Sequence, residues 1–67
     1  MKAVLNVIGI SNINDINKIR RAIADNEGVV ACEISREKKE VSVVYDDHSV
    51  TLEKITTSIE DLGYTVI

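Results

Sequence analysis

Leu5 and Val7 alternate with Asn6 before Gly9, and this period of two predicts a half-buried strand over about residues 2–8. From Asn12 the period lengthens: Ile16, Ile19 and Ile23 fall on one stripe with Ala22 beside them, while Lys18, Arg20, Arg21 and Asp25 lie elsewhere. That pattern predicts an amphipathic helix, closed by Asn26-Glu27-Gly28 with Gly28 as a left-handed cap. Residues 29–35 and 40–46 alternate again on either side of the charged Arg36-Glu37-Lys38-Lys39, which predicts a hairpin with a solvated tip. Cys32 and Ile34 share one face of its first strand, and Val41, Val43 and Tyr45 share one face of its second. A turn at Asp46-Asp47-His48-Ser49 leads to Thr51 as the N-cap of a second helix, with Val50 and Ile55 at the two positions of a hydrophobic staple. Its apolar stripe runs through Leu52, Ile55, Ile59 and Leu62 to Gly63, and residues 64–67 read as a short last strand.

The order β-α-β-β-α-β, with two amphipathic helices and alternating strands, is satisfied most simply by one four-stranded antiparallel sheet carrying both helices on one face. Right-handed crossovers then place the first and third strands in the middle. The expected class is α+β, a ferredoxin-like sandwich formed as a single domain over residues 1–67. Val4, Ile8 and Val44 should point away from the helices, and a contiguous apolar patch there would suit a homodimer or a partner contact.

Composition narrows the function. A chain of 67 residues buries only about 60% of the surface its unfolded form exposes, so its stability is marginal. No apolar run could span a bilayer and no secretory signal opens the chain, so a cytoplasmic protein without a membrane partner is expected. A net charge of −3, with two Tyr and neither Phe nor Trp, argues against a nucleic-acid partner. Cys32 is the only cysteine, which excludes an intramolecular disulfide and an all-cysteine metal site. Its alternation with Ile34 places it inward as an inert packing residue. His48 is expected in a solvated turn, at the opposite end of the sheet from Asn12. One Cys and one His far apart, with no nucleophile–base arrangement and no phosphate loop, do not make an enzyme.

The polar segment GISNINDINKI, residues 9–19, carries the remaining candidate chemistry. Asn12 is a preferred N-cap, and an acidic side chain three positions on, Asp15, can return a hydrogen bond to the cap backbone. Ser11 and Asn14 are rival caps. A hard cation wants about six oxygen ligands, and Asn12 with Asp15 supplies few of them.

The segments LNVIGIS, IRRAI, EGVVACEI, VSVVYDD and SVTLEKITTSIEDLGYTV resemble the heavy-metal-associated domain. That family comprises copper chaperones and the N-terminal modules of heavy-metal-transporting P-type ATPases, and the resemblance runs from Leu5 to Val66. It implies metal transport, and a GMxCxxC loop between the first strand and the first helix whose two thiolates hold Cu(I). Gly9 keeps its place, but Ile10 stands for the methionine, and Asn12 and Asp15 stand for the cysteines. Cu(I) prefers sulfur, so the family's metal ligands do not carry over. Ser11, Asn12 and Asp15 are therefore expected as a degenerate, non-binding loop that caps the helix, with Gly9, Ile10, Ile13 and Tyr64 adjacent to it. Tyr64 should pack over the Gly9–Asp15 turn, its hydroxyl reaching water or a backbone group.

The function expected from the resemblance is an interaction or regulatory module in metal homeostasis without a cofactor. Its expected partner is a protein such as a metal-transporting ATPase, and Lys18, Arg20 and Arg21 would dock an acidic surface on it. An alternative is atypical metal binding or transport, through Asn12 and Asp15 with a partner's ligands or through Cys32 pairs in a dimer. A small-molecule sensor of the ACT type shares the element order, but the EDLGYTV ending favours the heavy-metal family.

Overall fold

A computed structural model describes residues Met1–Ile67. Its elements are β1 (Lys2–Ile8), α1 (Ile13–Ala24), β2 (Val29–Ser35), β3 (Glu40–Tyr45), α2 (Leu52–Glu60) and β4 (Thr65–Val66). The strands form one antiparallel sheet in the order β2-β3-β1-β4, so β1 and β3 are central. The expected ferredoxin-like sandwich is the observed fold.

Sheet and helices meet in one core. Leu5, Val7, Val41, Val43 and Tyr45 from the sheet close on Ile19 and Ile23 of α1 and Ile55 and Ile59 of α2. Each buried isoleucine contributes roughly 1.5–3 kcal/mol relative to leaving it exposed. Val4, Ile8 and Val44 lie on the opposite, open face, as a period of two requires. There Ser42 and Glu40 of β3 stand beside Val4 and Asn6 of β1, so polar side chains interrupt the apolar ones. Val50 is buried beside Ile55 just ahead of α2, and Thr51 accepts a hydrogen bond from the Lys54 amide at 3.1 Å. The staple and the cap at this helix are both in place.

Several boundaries differ from the periodic reading. α1 ends at Ala24 with Asp25 as C-cap, so Gly28 does not cap it. Instead Gly28 takes a φ of +101° at the entry to β2, where its carbonyl accepts the Asp46 amide at 2.7 Å. A side chain there would sit 2.7 Å from Ser49 Cβ, so the close approach as well as the left-handed backbone requires glycine. α2 stops at Glu60, and Leu62 leaves the apolar stripe to stand 43% exposed. The last strand has two residues, since only Val66 and Thr65 pair with Val7 and Ile8.

Cys32 packs against the core but is half-buried, because β2 is an edge strand and leaves one side open. A bulge between Val29 and Ala31 interrupts the same strand, and Val30 there stands exposed. One polar side chain is buried. Asn26 donates to the Ala22 and Ile23 carbonyls and to Ser58 Oγ at 3.0 Å, tying the end of α1 to α2. Nothing in the local sequence pattern distinguishes it from an ordinary helix-end asparagine.

Candidate functional site

The turn from β1 into α1 is built around one carboxylate. Asn12 has extended backbone, φ −142° and ψ 176°, and its side-chain oxygen accepts the Asp15 amide at 3.0 Å. Asp15 returns the bond: its Oδ2 accepts the Asn12 amide at 3.3 Å, completing a capping box. The same oxygen accepts the Ser11 amide at 2.9 Å and the Ser11 hydroxyl at 3.0 Å. Of the rival caps, Asn12 holds the position, Ser11 serves as a second donor, and Asn14 lies within the helix.

Tyr64, 49 residues away in sequence, closes the arrangement by donating its hydroxyl to Asp15 Oδ1. Its partner is therefore a carboxylate rather than the water or backbone group expected. The ring also lies over the turn, since a side chain at Gly9, whose φ is +112°, would meet Tyr64 Cδ1 at 3.1 Å. Ile10 points down into the core and is 2% exposed, so the residue at the methionine's place anchors the turn from below. Ile13 faces outward and is 60% exposed.

The hydrogen bond from Tyr64, then that from the Ser11 amide, lowers the Asp15 pKa to about 2. The same bond pushes Tyr64 up to about 12. Asp15 has a folded pKa below its ordinary value of 3.8. Its contribution to stability is thus full above that value and is lost as pH falls through about 2. Urea denaturation midpoints across the acid range should fall for the wild type between about pH 4 and pH 2, and Asp15→Asn should flatten that part of the curve. A variant curve as steep as wild type in that window would remove Asp15 as the cause.

Beside the turn, Asn14, Asn17, Lys18 and Arg21 of α1, with its C-cap Asp25, form one wall of a groove of about 520 Å³, and Leu62 forms the other. Lys18 and Arg21 fall here together, but Arg20 does not. It lies on the β2 side, where its charge acts on Cys32 and partly offsets the upward push of burial on that thiol's pKa. His48 is in the turn after β3, where its backbone amide donates to Asp46 Oδ1 at 2.9 Å. Lys2 at the start of β1 pairs with Val44 near the end of β3, so that turn lies at the far end of the sheet from Asn12. No group of three His, Cys, Asp or Glu side chains is arranged to hold a metal ion. No helix is long and apolar enough to cross a membrane.

Residues 4–65 match the heavy-metal-associated domain. The chain is 38% identical over 63 residues to the copper chaperone CopZ of Staphylococcus haemolyticus, covering 94% of this chain and 93% of that one. It is 36% identical over 64 residues to CopZ of Staphylococcus aureus, covering 96% and 94%. Among solved structures, a CopZ metallochaperone superposes with a TM-score of 0.98 at 33% identity over 100% of both chains. A copper-binding domain from a P-type ATPase superposes with a TM-score of 0.93 at 26% identity, covering 98% of this chain and 89% of that one. With a matched region that spans all but the ends, and relatives above 30% identity along nearly their whole length, the chain belongs to the heavy-metal-associated domain family.

Proposed function

We propose that this protein is a cytoplasmic, non-enzymatic interaction module of metal homeostasis. It docks on a metal-handling protein through the Ser11–Asp15 turn and the adjoining face of α1, and it carries no thiolate Cu(I) site of its own. One observation carries the reading: the Asp15 carboxylate, at the place of a metal-binding thiol in the resemblance, accepts hydrogen bonds from two backbone amides and two hydroxyls. A side chain so engaged orders the turn without a metal, and its hard oxygens are poor ligands for a soft monovalent cation. The family's presence both in copper chaperones and in a P-type ATPase domain supports a transporter as the partner. Lys18 and Arg21 in the groove suit an acidic surface on it.

Titration of Cu(I) and of Zn(II) against a competing chelator tests this on the wild type and on Cys32→Ser. No affinity in the submicromolar range is expected for either metal. Submicromolar binding by the wild type would overturn the reading, and its loss in Cys32→Ser would assign the ligand to a shared cysteine.

A further inference from the structure

The groove beside α1 has walls of opposite charge. Ser58 is tied to Asn26 just past the end of α1, and Tyr64 to Asp15 near its start. The intervening Glu60, Asp61 and Leu62 therefore run alongside the middle of that helix, where Lys18 and Arg21 stand. All four charged side chains are exposed. Two cations thus face two carboxylates across an open groove, while Asp25 lies beyond them, next to Asn26 and level with Ser58.

Such a surface is complementary to itself. A two-fold axis along the groove, in the plane of contact, sets the α1 wall of one copy over the Glu60–Leu62 wall of another, and the reverse. Lys18 and Arg21 of each copy then meet Glu60 and Asp61 of the other. Each Leu62, 43% exposed, covers the half-buried Ala22 and the Lys18 stem opposite. The remaining surfaces lack this property. Polar side chains interrupt Val4 and Val44 on the open sheet face, and Glu33 and the bulge at Val29–Ala31 guard the free edge of β2. A tenth of the 4356 Å² surface from each copy stays below the roughly 1,200 Å² at which stable complexes begin. A net charge of −3 per copy also opposes association, so the pairing is weak and reversible.

We propose that this groove is the interface of a weak, two-fold symmetric homodimer, held by Lys18 and Arg21 of each copy against Glu60 and Asp61 of the other. The cations it covers are those of the docking face, so a dimer is withheld from its partner until it dissociates. That consequence rests on the docking role proposed above.

Sedimentation equilibrium of the wild type, carried up to about millimolar concentration, should show a reversible monomer–dimer equilibrium. Lys18→Glu with Arg21→Glu sets acids on acids, and Glu60→Lys with Asp61→Lys sets cations on cations. Each pair of substitutions should weaken dimerisation at least roughly tenfold. The second pair lowers the magnitude of the net charge, so its effect cannot come from overall repulsion. The fourfold variant restores both the pairing and the net charge, and should dimerise about as well as wild type. A wild type that stays monomeric would overturn the dimer and leave the docking role standing. Undiminished dimerisation in Glu60→Lys with Asp61→Lys, or none in the fourfold variant, would place the contact elsewhere and overturn it too. That second double variant keeps both docking cations. Where half the wild type is dimeric, it should bind the metal-free copper-binding domain of a P-type ATPase about twofold more tightly than wild type. Equal binding would remove the withholding, and no binding by either would remove the docking role and leave the dimer standing.

Discussion

Replacing Asn12 and Asp15 together by cysteine is expected to raise Cu(I) affinity by several orders of magnitude over the wild type. The backbone frame needs little adjustment, since the chain superposes on a CopZ metallochaperone with a TM-score of 0.98. Gly9 keeps the left-handed turn that leads out of β1, and Ile10 fixes the turn to the core from below. The substitution exchanges two hard ligand atoms for two soft ones at the start of one helix, where a thiol's pKa is lowered. It also removes the cap, at a cost of about 1 kcal/mol, together with the carboxylate that holds Ser11 and Tyr64. The metal-free double variant should therefore melt below the wild type and recover stability when Cu(I) is added. Competition with a chelator gives the affinity, and circular dichroism with and without Cu(I) gives the melting shift. A folded double variant without Cu(I) affinity would mean that the turn has lost the geometry of a two-thiolate loop.

Ile55→Ala should be among the most destabilising single truncations, leaving much of the chain unfolded. Ile55 is fully buried in the one core, where it is both a stripe residue of α2 and half of the staple with Val50. Truncation of a buried isoleucine costs about 2–5 kcal/mol, the lost transfer energy plus the cavity left behind. A single core in a domain of this size rarely supplies more than about 3–5 kcal/mol in total. No disulfide supplements it, because Cys32 stands alone. Urea titration followed by circular dichroism should show the pre-transition baseline shortened or absent. Leu62→Ala makes the contrast, since its side chain is 43% exposed and its loss should leave the midpoint nearly unchanged. Equal losses in the two variants would contradict the core described.

The fold was legible because its strands and helices bury one face each. A period of two at Leu5 and Val7, and a stripe at Ile16, Ile19 and Ile23, each point one way only once a core exists to point at. The two N-caps were legible for a related reason: a cap's side chain accepts the backbone amide three positions on, so Asn12 with Asp15 and Thr51 with Lys54 lie within one window. Ends governed by distant contacts were not. Gly28 reads as a helix cap until Ser49 is found packed against it. Leu62 fits the stripe by spacing, yet the helix has already ended at Glu60. At the candidate site, the local half of the Asp15 network follows from composition, but its bond to Tyr64 does not. Proximity across 49 residues leaves no trace in spacing. The groove is a tertiary feature in the same sense. It divides Lys18 and Arg21 from Arg20, three cations that the sequence offers as one patch.

The shortness of β4 bears on how the Asp15 turn is kept in shape. Thr65 and Val66 pair with β1 at one edge of the sheet, joined by one further bond from the Ile67 amide to the Asn6 carbonyl, and Tyr64 is the residue just before them. Edge segments with so few ladder bonds open by local unfolding at a small fraction of the global free energy. Each such opening carries the Tyr64 ring away from Gly9 and its hydroxyl away from Asp15, while the capping box, which is local to α1, stays intact. The turn thus has two tiers of order: an inner one that lasts as long as the helix, and an outer one that comes and goes with the last strand.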